Sequence, residues 1–272
     1  MSHLPDQPDP WAFLQSHTSA RIARGRTGHS LPTRALLDFQ LDHARARDAV
    51  YSELERDTLL TQLQVIQQPV LQLHSRAADR QQYLQRPDLG RKLDEVSLSH
   101  LDLHLHLSGL EDLTGVGVDL GGKSVHGFDL SIVIVDGLSA TAINRHAGTV
   151  VSRLAEEIRA FGWSLAPLCL VEQGRVAIGD EIAHALKAET VVVLIGERPG
   201  LTSPDSMGAY LTFRPQPGLT DESRNCISNI RPEGFPYEAA VQKLLYLLTE
   251  MKTRRLSGVL LKDEFDDNLL TP

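Results

Sequence analysis

The sequence contains little cysteine and no long apolar run. Its 272 residues include two cysteines, Cys169 and Cys226, too few for a disulfide scaffold or a multi-cysteine zinc or iron–sulfur module. No apolar stretch approaches the roughly 18 residues of a membrane-spanning helix. The N-terminal residues, MSHLPDQPDPWAF, lack the basic and apolar segments of a signal peptide. We therefore expect a cytoplasmic protein with no membrane partner.

Positive charge is also scarce. The 27 lysines and arginines are outnumbered by 35 acidic residues, for a net charge of −8, which argues against a nucleic-acid partner. Six arginines nevertheless lie between Arg21 and Arg47, whereas four acidic residues lie between Lys262 and Asp267. The basic segment fits either a negatively charged partner surface or phosphate, or a solvated helix face.

The composition changes along the chain and divides it into four parts. Residues 1–93 are predicted to form a helical N-terminal region, since apolar residues such as Leu36 and Phe39 lie at helical spacing. Residues 94–127 form an inserted segment with one predicted strand and many glycines. Residues 128–256 form the main domain, and residues 257–272 form an acidic tail.

The main domain alternates strands with helices. Apolar runs at 131–135, 165–171 and 190–195 are typical of strands buried on both faces. Helices are predicted between them, the first ending at Gly162 and the second at 179–187. This order predicts a parallel sheet with right-handed crossovers. A further strand is predicted at 209–213, and an amphipathic helix after Pro236. The predicted fold class is α/β, a Rossmann-like parallel sheet domain with a helical N-terminal extension.

One segment, GVDLGGKS at 117–124, satisfies the pattern of a phosphate-binding P-loop. That motif requires a strand before the loop and a helix beginning at its lysine. Here Gly127 and a predicted strand follow Lys123 instead. The context therefore argues against a functional P-loop.

A second segment alternates leucine with polar residues. Leucines at 101, 103, 105 and 107 alternate with Asp102, His104 and His106, which predicts a strand with both imidazoles on one face. Such a pair could ligate a metal with help from Asp102 or His100, or could form a polar outer face without any metal. The segment also begins the D-x-H-x-x-G motif of some cobalamin proteins, but Leu107 replaces its glycine.

The carboxyl edge of the predicted sheet is the expected ligand site, since open α/β sheets bind ligands there. Loops at 136–141, 173–176 and 196–200 each combine glycine with polar residues. Ser139 is predicted to cap the following helix and to leave N–H groups available for an amide or phosphate oxygen. These features predict a site at the edge without naming its ligand.

Several ordered motifs together resemble the small (light) chain of ethanolamine ammonia-lyase. They are ARGRTG (23–28), YLQRPDLGR (83–91), IVDGLSATAI (134–143), VLIGERPGL (193–201) and RNCISNI (224–230). The resemblance implies an ammonia-lyase subunit that closes an adenosylcobalamin site against a TIM-barrel large subunit carrying the catalytic residues. The cofactor would supply the radical chemistry that converts ethanolamine to acetaldehyde and ammonia.

The same resemblance implies cofactor-binding residues, a partner surface and a location. Cobalamin contacts are expected at Val176, Glu197 and Cys226, and no catalytic or metal-ligating residue is expected in this chain. An apolar surface with arginines at its edge, formed in part by residues 21–47, is expected to contact the large subunit. The enzyme would lie in the cytoplasm or in a bacterial microcompartment. The segment 95–127 lies where the resemblance is absent.

Two other functions fit the residues without the resemblance. One is a stand-alone Rossmann-like module that binds a nucleotide or another cofactor without catalysis. The other is a metal hydrolase built on His104 and His106.

Overall fold

The computed structural model describes residues 9–18, 20–107 and 127–265. These residues form a six-stranded sheet with α-helices on both sides. The strands are β1 (Val70–His74), β2 (Phe128–Val135), β3 (Leu168–Glu172), β4 (Ala188–Gly196), β5 (Met207–Phe213) and β6 (Arg224–Ile230). The helices are α1 (Thr33–Val50), α2 (Arg56–Leu63), α3 (Arg80–Gln85), α4 (Glu95–Leu107), α5 (Ala140–Ala160), α6 (Ile178–Ala185) and α7 (Tyr237–Arg254). Short 3-10 turns cover Ala12–Ser16, Gln64–Ile66, Leu89–Arg91, Asp221–Ser223 and Gly258–Leu260.

The strand order is β1-β3-β2-β4-β5-β6. The first four strands in this order are parallel, whereas β5 and β6 are antiparallel to their neighbours. From β2 the chain crosses to β3 on one side and then returns past β2 to β4 on the other. The neighbouring strands β2 and β4 are therefore followed by connections that run in opposite directions across the sheet. Ligands bind at such a position in open α/β sheets.

One face of the sheet, which we call the closed face, is covered by helices as far as β6. Side chains of α2, α5 and α7 pack there against Ile132, Leu194, Leu211 and Ile227, all of which are buried. The residues between them point the other way, because successive side chains of a strand alternate between faces. Burial of these apolar side chains supplies the main driving force for forming this part of the fold.

The opposite face, which we call the open face, is covered over only part of the sheet. Apolar residues of α4 and α6 pack against Val133, Val171 and Val193 of the parallel strands. On β6, by contrast, Cys226 and Ser228 are exposed. The antiparallel end of the open face is therefore accessible in the described structure.

The α/β class is confirmed, but the sheet is mixed, because the chain returns from β4 through two antiparallel strands. The strand predicted at 209–213 is confirmed within β5, whereas β6 was not predicted. In the region predicted as helical, residues 70–74 form β1, which pairs with β3. Pro69 lies between the 3-10 turn that ends at Ile66 and the start of β1, and the short apolar run after it extends into the sheet.

The strand predicted for the histidine segment is wrong, because residues 95–107 form helix α4. Leu101 and Leu105 are four residues apart and therefore lie on the same side of the helix, where both are buried against the open face. His104 and His106 are two residues apart, a spacing that does not bring side chains together on a helix. The geometry proposed for a metal pair is therefore absent. The P-loop-like segment at 117–124 lies outside the described residues.

The predicted helix boundaries in the main domain are confirmed where a capping residue marks them. Ser139 precedes α5, and its hydroxyl accepts a hydrogen bond from the N–H of Ala142. Gly162 follows the helix with a φ of 71°, as glycine commonly does after a helix. Pro236 precedes α7. No helix within the described part of the chain combines the length and apolarity needed to cross a bilayer.

Candidate functional site

The loops that follow β2 and β3 are held together by one buried carboxylate. Asp136 accepts hydrogen bonds from the N–H groups of Gly137 at 2.8 Å, Gln173 at 2.9 Å and Gly174 at 3.2 Å. The Arg80 guanidinium lies 3.9 Å away. Burial raises the pKa of Asp136 to about 6, although the backbone donors and Arg80 oppose that shift. This carboxylate fixes the positions of the loops at the sheet edge.

The loop after β2 also packs tightly against the end of β4. The N–H of Leu138 donates to the carbonyl of Gly196 at 2.8 Å. Gly137 has a φ of 59°, and a Cβ built on it would lie 2.3 Å from the Gly196 oxygen. A side chain at position 137 would therefore separate the two loops.

The start of α5 is not available to a ligand, contrary to the expectation for Ser139. Ser139 is fully buried, and its hydroxyl donates to the carbonyl of Pro204 at 2.9 Å. The N–H of Thr141 donates to the hydroxyl of Ser52 at 2.9 Å. The loop at 136–141 is thus part of the scaffold, because its polar groups are satisfied within the protein.

The other two predicted loops meet at one open cavity of about 500 Å³, which we call the Glu197 cavity. Val176 and Glu197 both line it, with Ser228 of β6 and Tyr210 of β5. The remaining lining residues are Tyr83, Leu138, Arg175, Ile195, Gly196 and Arg198. The cavity lies beside the accessible end of the open face, at the carboxyl end of β4.

The carboxylate of Glu197 is oriented by two hydrogen bonds to the same oxygen. Oε2 accepts from the hydroxyl of Ser206 and from the N–H of Asn229, the latter at 3.1 Å. A Cβ built on Gly208 would lie 2.8 Å from Oε1, so a side chain there would displace the carboxylate from this position. Within the described structure its partners are Ser206 and Asn229 rather than Arg198. Oε1 therefore keeps its capacity to accept a hydrogen bond from a ligand.

Val176 lies in the loop between β3 and α6, as predicted. Its carbonyl accepts a hydrogen bond from the N–H of Gly179 at 3.1 Å. Its half-buried side chain packs on the apolar cluster of the open face and also lines the Glu197 cavity. The side chain is therefore its principal contribution to the cavity.

The two cysteines lie in opposite environments. Cys226 is exposed on the open face, pairs with Tyr210 across the β5–β6 ladder, and has its Sγ 3.5 Å from the hydroxyl of Ser228. Cys169 is buried in β3, and burial raises the pKa of its thiol to about 12. Cys226 thus neighbours two residues of the Glu197 cavity, and it is not a buried packing residue.

Sequence reasoning missed Tyr83, which lies between two arginines at the floor of the cavity. Its ring centroid is 4.7 Å from the guanidinium carbon of Arg80 and 4.1 Å from that of Arg175. Both contacts have cation–π geometry. The Tyr83 hydroxyl is buried and makes no hydrogen bond within the described structure, and burial raises its pKa. This hydroxyl therefore keeps its capacity to donate one hydrogen bond.

Comparisons with known proteins decide the family. Residues 8–262 match the family described as ethanolamine ammonia-lyase light chain. The chain belongs to this family. It is 51% identical over 264 residues to a protein of Ralstonia nicotianae, covering 96% of this chain and 91% of the relative. A relative from Pseudomonas aeruginosa is 53% identical with the same coverage, and one from Pseudomonas fluorescens is 53% identical over 95% of this chain and 89% of the relative. All three are named ethanolamine ammonia-lyase small subunit.

The resemblance stated from the sequence is thereby confirmed, and the enzyme class of the light-chain family is that of an ammonia-lyase. The family match includes the segment at 94–127 and the first residues of the acidic tail. A signal for Tyr83 was present in the YLQRPDLGR motif, which carried the resemblance. Its spacing alone gave no reason to place that ring beside Val176.

Proposed function

We propose that this chain is the small subunit of an adenosylcobalamin-dependent ethanolamine ammonia-lyase. In this proposal it closes the cobalamin site against a TIM-barrel large subunit that carries the catalytic residues. When bound, adenosylcobalamin supplies the radical chemistry that converts ethanolamine to acetaldehyde and ammonia. The residues of this chain bind and orient the cofactor and exclude water from one side of it.

The observation that carries the proposal is the grouping of Val176, Glu197 and Cys226 at one end of the sheet. Val176 and Glu197 share the Glu197 cavity, and Cys226 lies beside its residues Tyr210 and Ser228. The corrin ring carries peripheral amides, which are both donors and acceptors. Oε1 of Glu197 would accept an amide N–H, and the side chains of Val176 and Cys226 would contact the macrocycle.

Two further features fit such a ligand. The Tyr83 hydroxyl, buried without a partner, would donate to an amide oxygen. The accessible part of the open face, next to the cavity, offers room for a macrocycle wider than the cavity itself. In this proposal the main domain, residues 128–256, is Rossmann-like, since the ligand lies at the carboxyl edge of its parallel strands, where β2 and β4 end side by side.

The N-terminal region, residues 1–93, is proposed to contact the large subunit. Helix α1 has 18 residues, of which one, Ala49, is buried. Four of its apolar side chains are exposed by 37% to 58%: Leu36, Leu37, Phe39 and Leu41. A run of exposed apolar residues marks a protein–protein contact. The adjacent arginines of residues 21–47 would lie at the edge of that contact.

The remaining segments and the location complete the proposal. Residues 94–127 are proposed to connect the N-terminal region to the main domain, with α4 packed on the open face, and residues 257–272 are proposed to be an acidic tail. The assembly is proposed to work in the cytoplasm or within a bacterial microcompartment, without nucleic acid or membrane as a partner.

The test is a cobalamin titration of the complex formed by co-expressing this chain with its large chain. We expect a complex, cobalamin-dependent deamination of ethanolamine, and weaker cofactor binding in Glu197→Ala by about 1–3 kcal/mol, the range for a lost buried polar partner. Glu156→Ala is the matched control, because Glu156 is exposed on α5 at the other side of the sheet. An unchanged titration for Glu197→Ala removes Glu197 from the site. A protein that forms no complex and binds nucleotide instead supports the stand-alone module.

A further inference from the structure

A second cavity of about 500 Å³ adjoins the Glu197 cavity. The two share Arg175 and Val176, which form the wall between them. The second cavity lies between the start of α6, the turn Leu89–Arg91 and the loop that joins β5 to β6. We call it the cation cavity because Arg91, Lys92, Arg175 and Arg224 all line it.

The positive charge of this cavity is only partly neutralised. Its acidic lining residues are Glu181 and Asp221. Asp221 pairs with Arg224 at 2.9 Å, and Glu181 accepts a hydrogen bond from the N–H of Leu93 at 2.7 Å. Within the described residues, no carboxylate lies at ion-pair distance from the other three cationic side chains of the lining. An anion that enters the cavity therefore meets a net attraction.

Two guanidinium groups of the lining also hold unused donors. The side chain of Arg224 is 2% exposed and pairs with Asp180 and Asp221, yet its Nε makes no hydrogen bond. Arg175 donates through Nη2 to the carbonyl of Tyr83 at 2.9 Å, and its Nε is likewise buried without a partner. Buried donors are normally satisfied. Such donors next to a cavity with excess positive charge point to an absent acceptor.

We propose that the cation cavity binds a phosphate group. Arginine is suited to this ligand because its planar array of donors matches phosphate oxygens. The inference rests on the proposed function, in which the phosphate is the phosphodiester of the cobalamin nucleotide. Strand β6 links the two cavities, since Arg224 lines one, Ser228 lines the other and Cys226 lies between them. One ligand could thus present its amides to Glu197 and its phosphate to Arg175. Free inorganic phosphate has the same chemistry and is the other source.

The test compares two corrinoids on the co-expressed complex. Cobalamin carries the nucleotide phosphate, whereas cobinamide lacks the nucleotide. We expect Arg175→Gln to weaken cobalamin binding at least ~10-fold, as for a lost hydrogen bond to a charged group, and to weaken cobinamide binding less, since Arg175 also lines the Glu197 cavity. The double variant Arg91→Gln/Lys92→Gln should weaken cobalamin binding and leave cobinamide binding unchanged, because neither residue lines the Glu197 cavity. Both residues are exposed, so the variant should fold normally. Arg153→Gln on α5 is the matched control for loss of one positive charge.

The outcomes separate the two proposals. Equal losses for cobalamin and cobinamide in these variants overturn the phosphate site, because the residues would then contact the corrin or act through folding. If the wild-type complex binds neither corrinoid, the proposed function fails, and inorganic phosphate becomes the probe. A rise in Tm with phosphate that is lost in Arg175→Gln and in the double variant supports a site for free phosphate. If the complex binds neither corrinoid and phosphate does not raise Tm, the phosphate site is overturned as well.

Discussion

The two faces of β5 and β6 serve different purposes, although they belong to the same strands. On the closed face, Leu211 and Ile227 are buried against α5 and α7. On the open face, Tyr210 is half-buried and Cys226 is exposed. Because side chains alternate along a strand, neighbouring positions divide between the core and the candidate site. Substitutions one residue apart should therefore separate effects on stability from effects on binding.

The two faces also differ in the interactions that determine their contribution to stability. The closed face is filled by apolar side chains, so its energetics depend on packing and removal of surface from water. The open face carries groups whose hydrogen-bonding capacity is not fully used, such as Oε1 of Glu197 and the hydroxyl of Tyr83. The buried, unpaired hydroxyl of Tyr83 lowers the stability of the isolated chain, and both groups gain a favourable interaction when a ligand bonds to them. A cofactor should accordingly raise the free energy of unfolding.

The largest expected effect is on the closed face, in Leu211→Ala. Leu211 is fully buried, and removal of a buried leucine side chain typically costs about 2–5 kcal/mol of unfolding free energy. Urea denaturation measures this loss. Cobalamin affinity, measured below the unfolding transition in the co-expressed complex, should stay unchanged. A large loss of affinity without a loss of stability would contradict the division between the faces.

The second effect concerns Asp136, which follows β2 and accepts hydrogen bonds from the loops after β2 and β3. Its folded-state pKa of about 6 exceeds that of an unfolded aspartate, so the folded protein holds this proton more strongly. The corresponding stability is fully present below about pH 4 and is lost as the pH rises through about 6, by on the order of 3 kcal/mol. Measuring unfolding free energy against pH, for wild type and Asp136→Asn, isolates this contribution.

Removing the titrating group should remove that part of the pH slope, whatever the variant does to stability itself. Asp129→Asn is a suitable comparison, because Asp129 lies at the other end of β2 and its pKa is lowered, with bonds from Lys252 and Ser164 among the causes. Its stability contribution has the opposite sign, present at higher pH and lost as the pH falls. A slope between pH 4 and 6 that persists in Asp136→Asn would show that another group is responsible.

The sequence predicted the parts of the fold in which local pattern and tertiary packing agree. The buried strands β2 and β4 are continuous apolar runs, and Ser139 and Gly162 mark the ends of α5. It failed at α4 and β6. Alternating leucines are typical of a strand, but Leu101 and Leu105 are also four residues apart, so a helix buries both of them on one side. Strand β6 buries only every third residue or so, because its open side lacks a covering helix.

The candidate site was predictable only where it follows from sheet topology. Val176 and Glu197 come after strands that end at the same edge, so their proximity could be expected. Tyr83 and the cation cavity depend on contacts between segments far apart in the chain, such as Arg175 with Tyr83. No local pattern encodes those contacts. The family resemblance named a ligand, which sheet geometry did not.

A smaller effect is expected for Ile227→Val, again on the closed face. The residue is buried, and loss of one methylene from a buried isoleucine usually costs about 0.5–1.5 kcal/mol. Cobalamin titration should be indistinguishable from wild type, because the side chain points away from the Glu197 cavity. Thermal unfolding of the wild type and the variant gives the stability difference. Altered cofactor affinity at wild-type stability would show that residues of the closed face also affect cofactor binding.

The smallest effect on stability is expected one residue earlier, in Cys226→Ser. The thiol is exposed, and exposed substitutions usually change unfolding free energy by less than about 0.5 kcal/mol. Serine keeps the size of the side chain and its contact with Ser228, but it is more polar than a thiol that packs as a small apolar group. We therefore expect weaker cobalamin binding at unchanged stability, the reverse of the result for Ile227→Val. If Cys226→Ser binds cobalamin as the wild type does, Cys226 contributes only to the surface of β6, and the open-face site reduces to the Glu197 cavity.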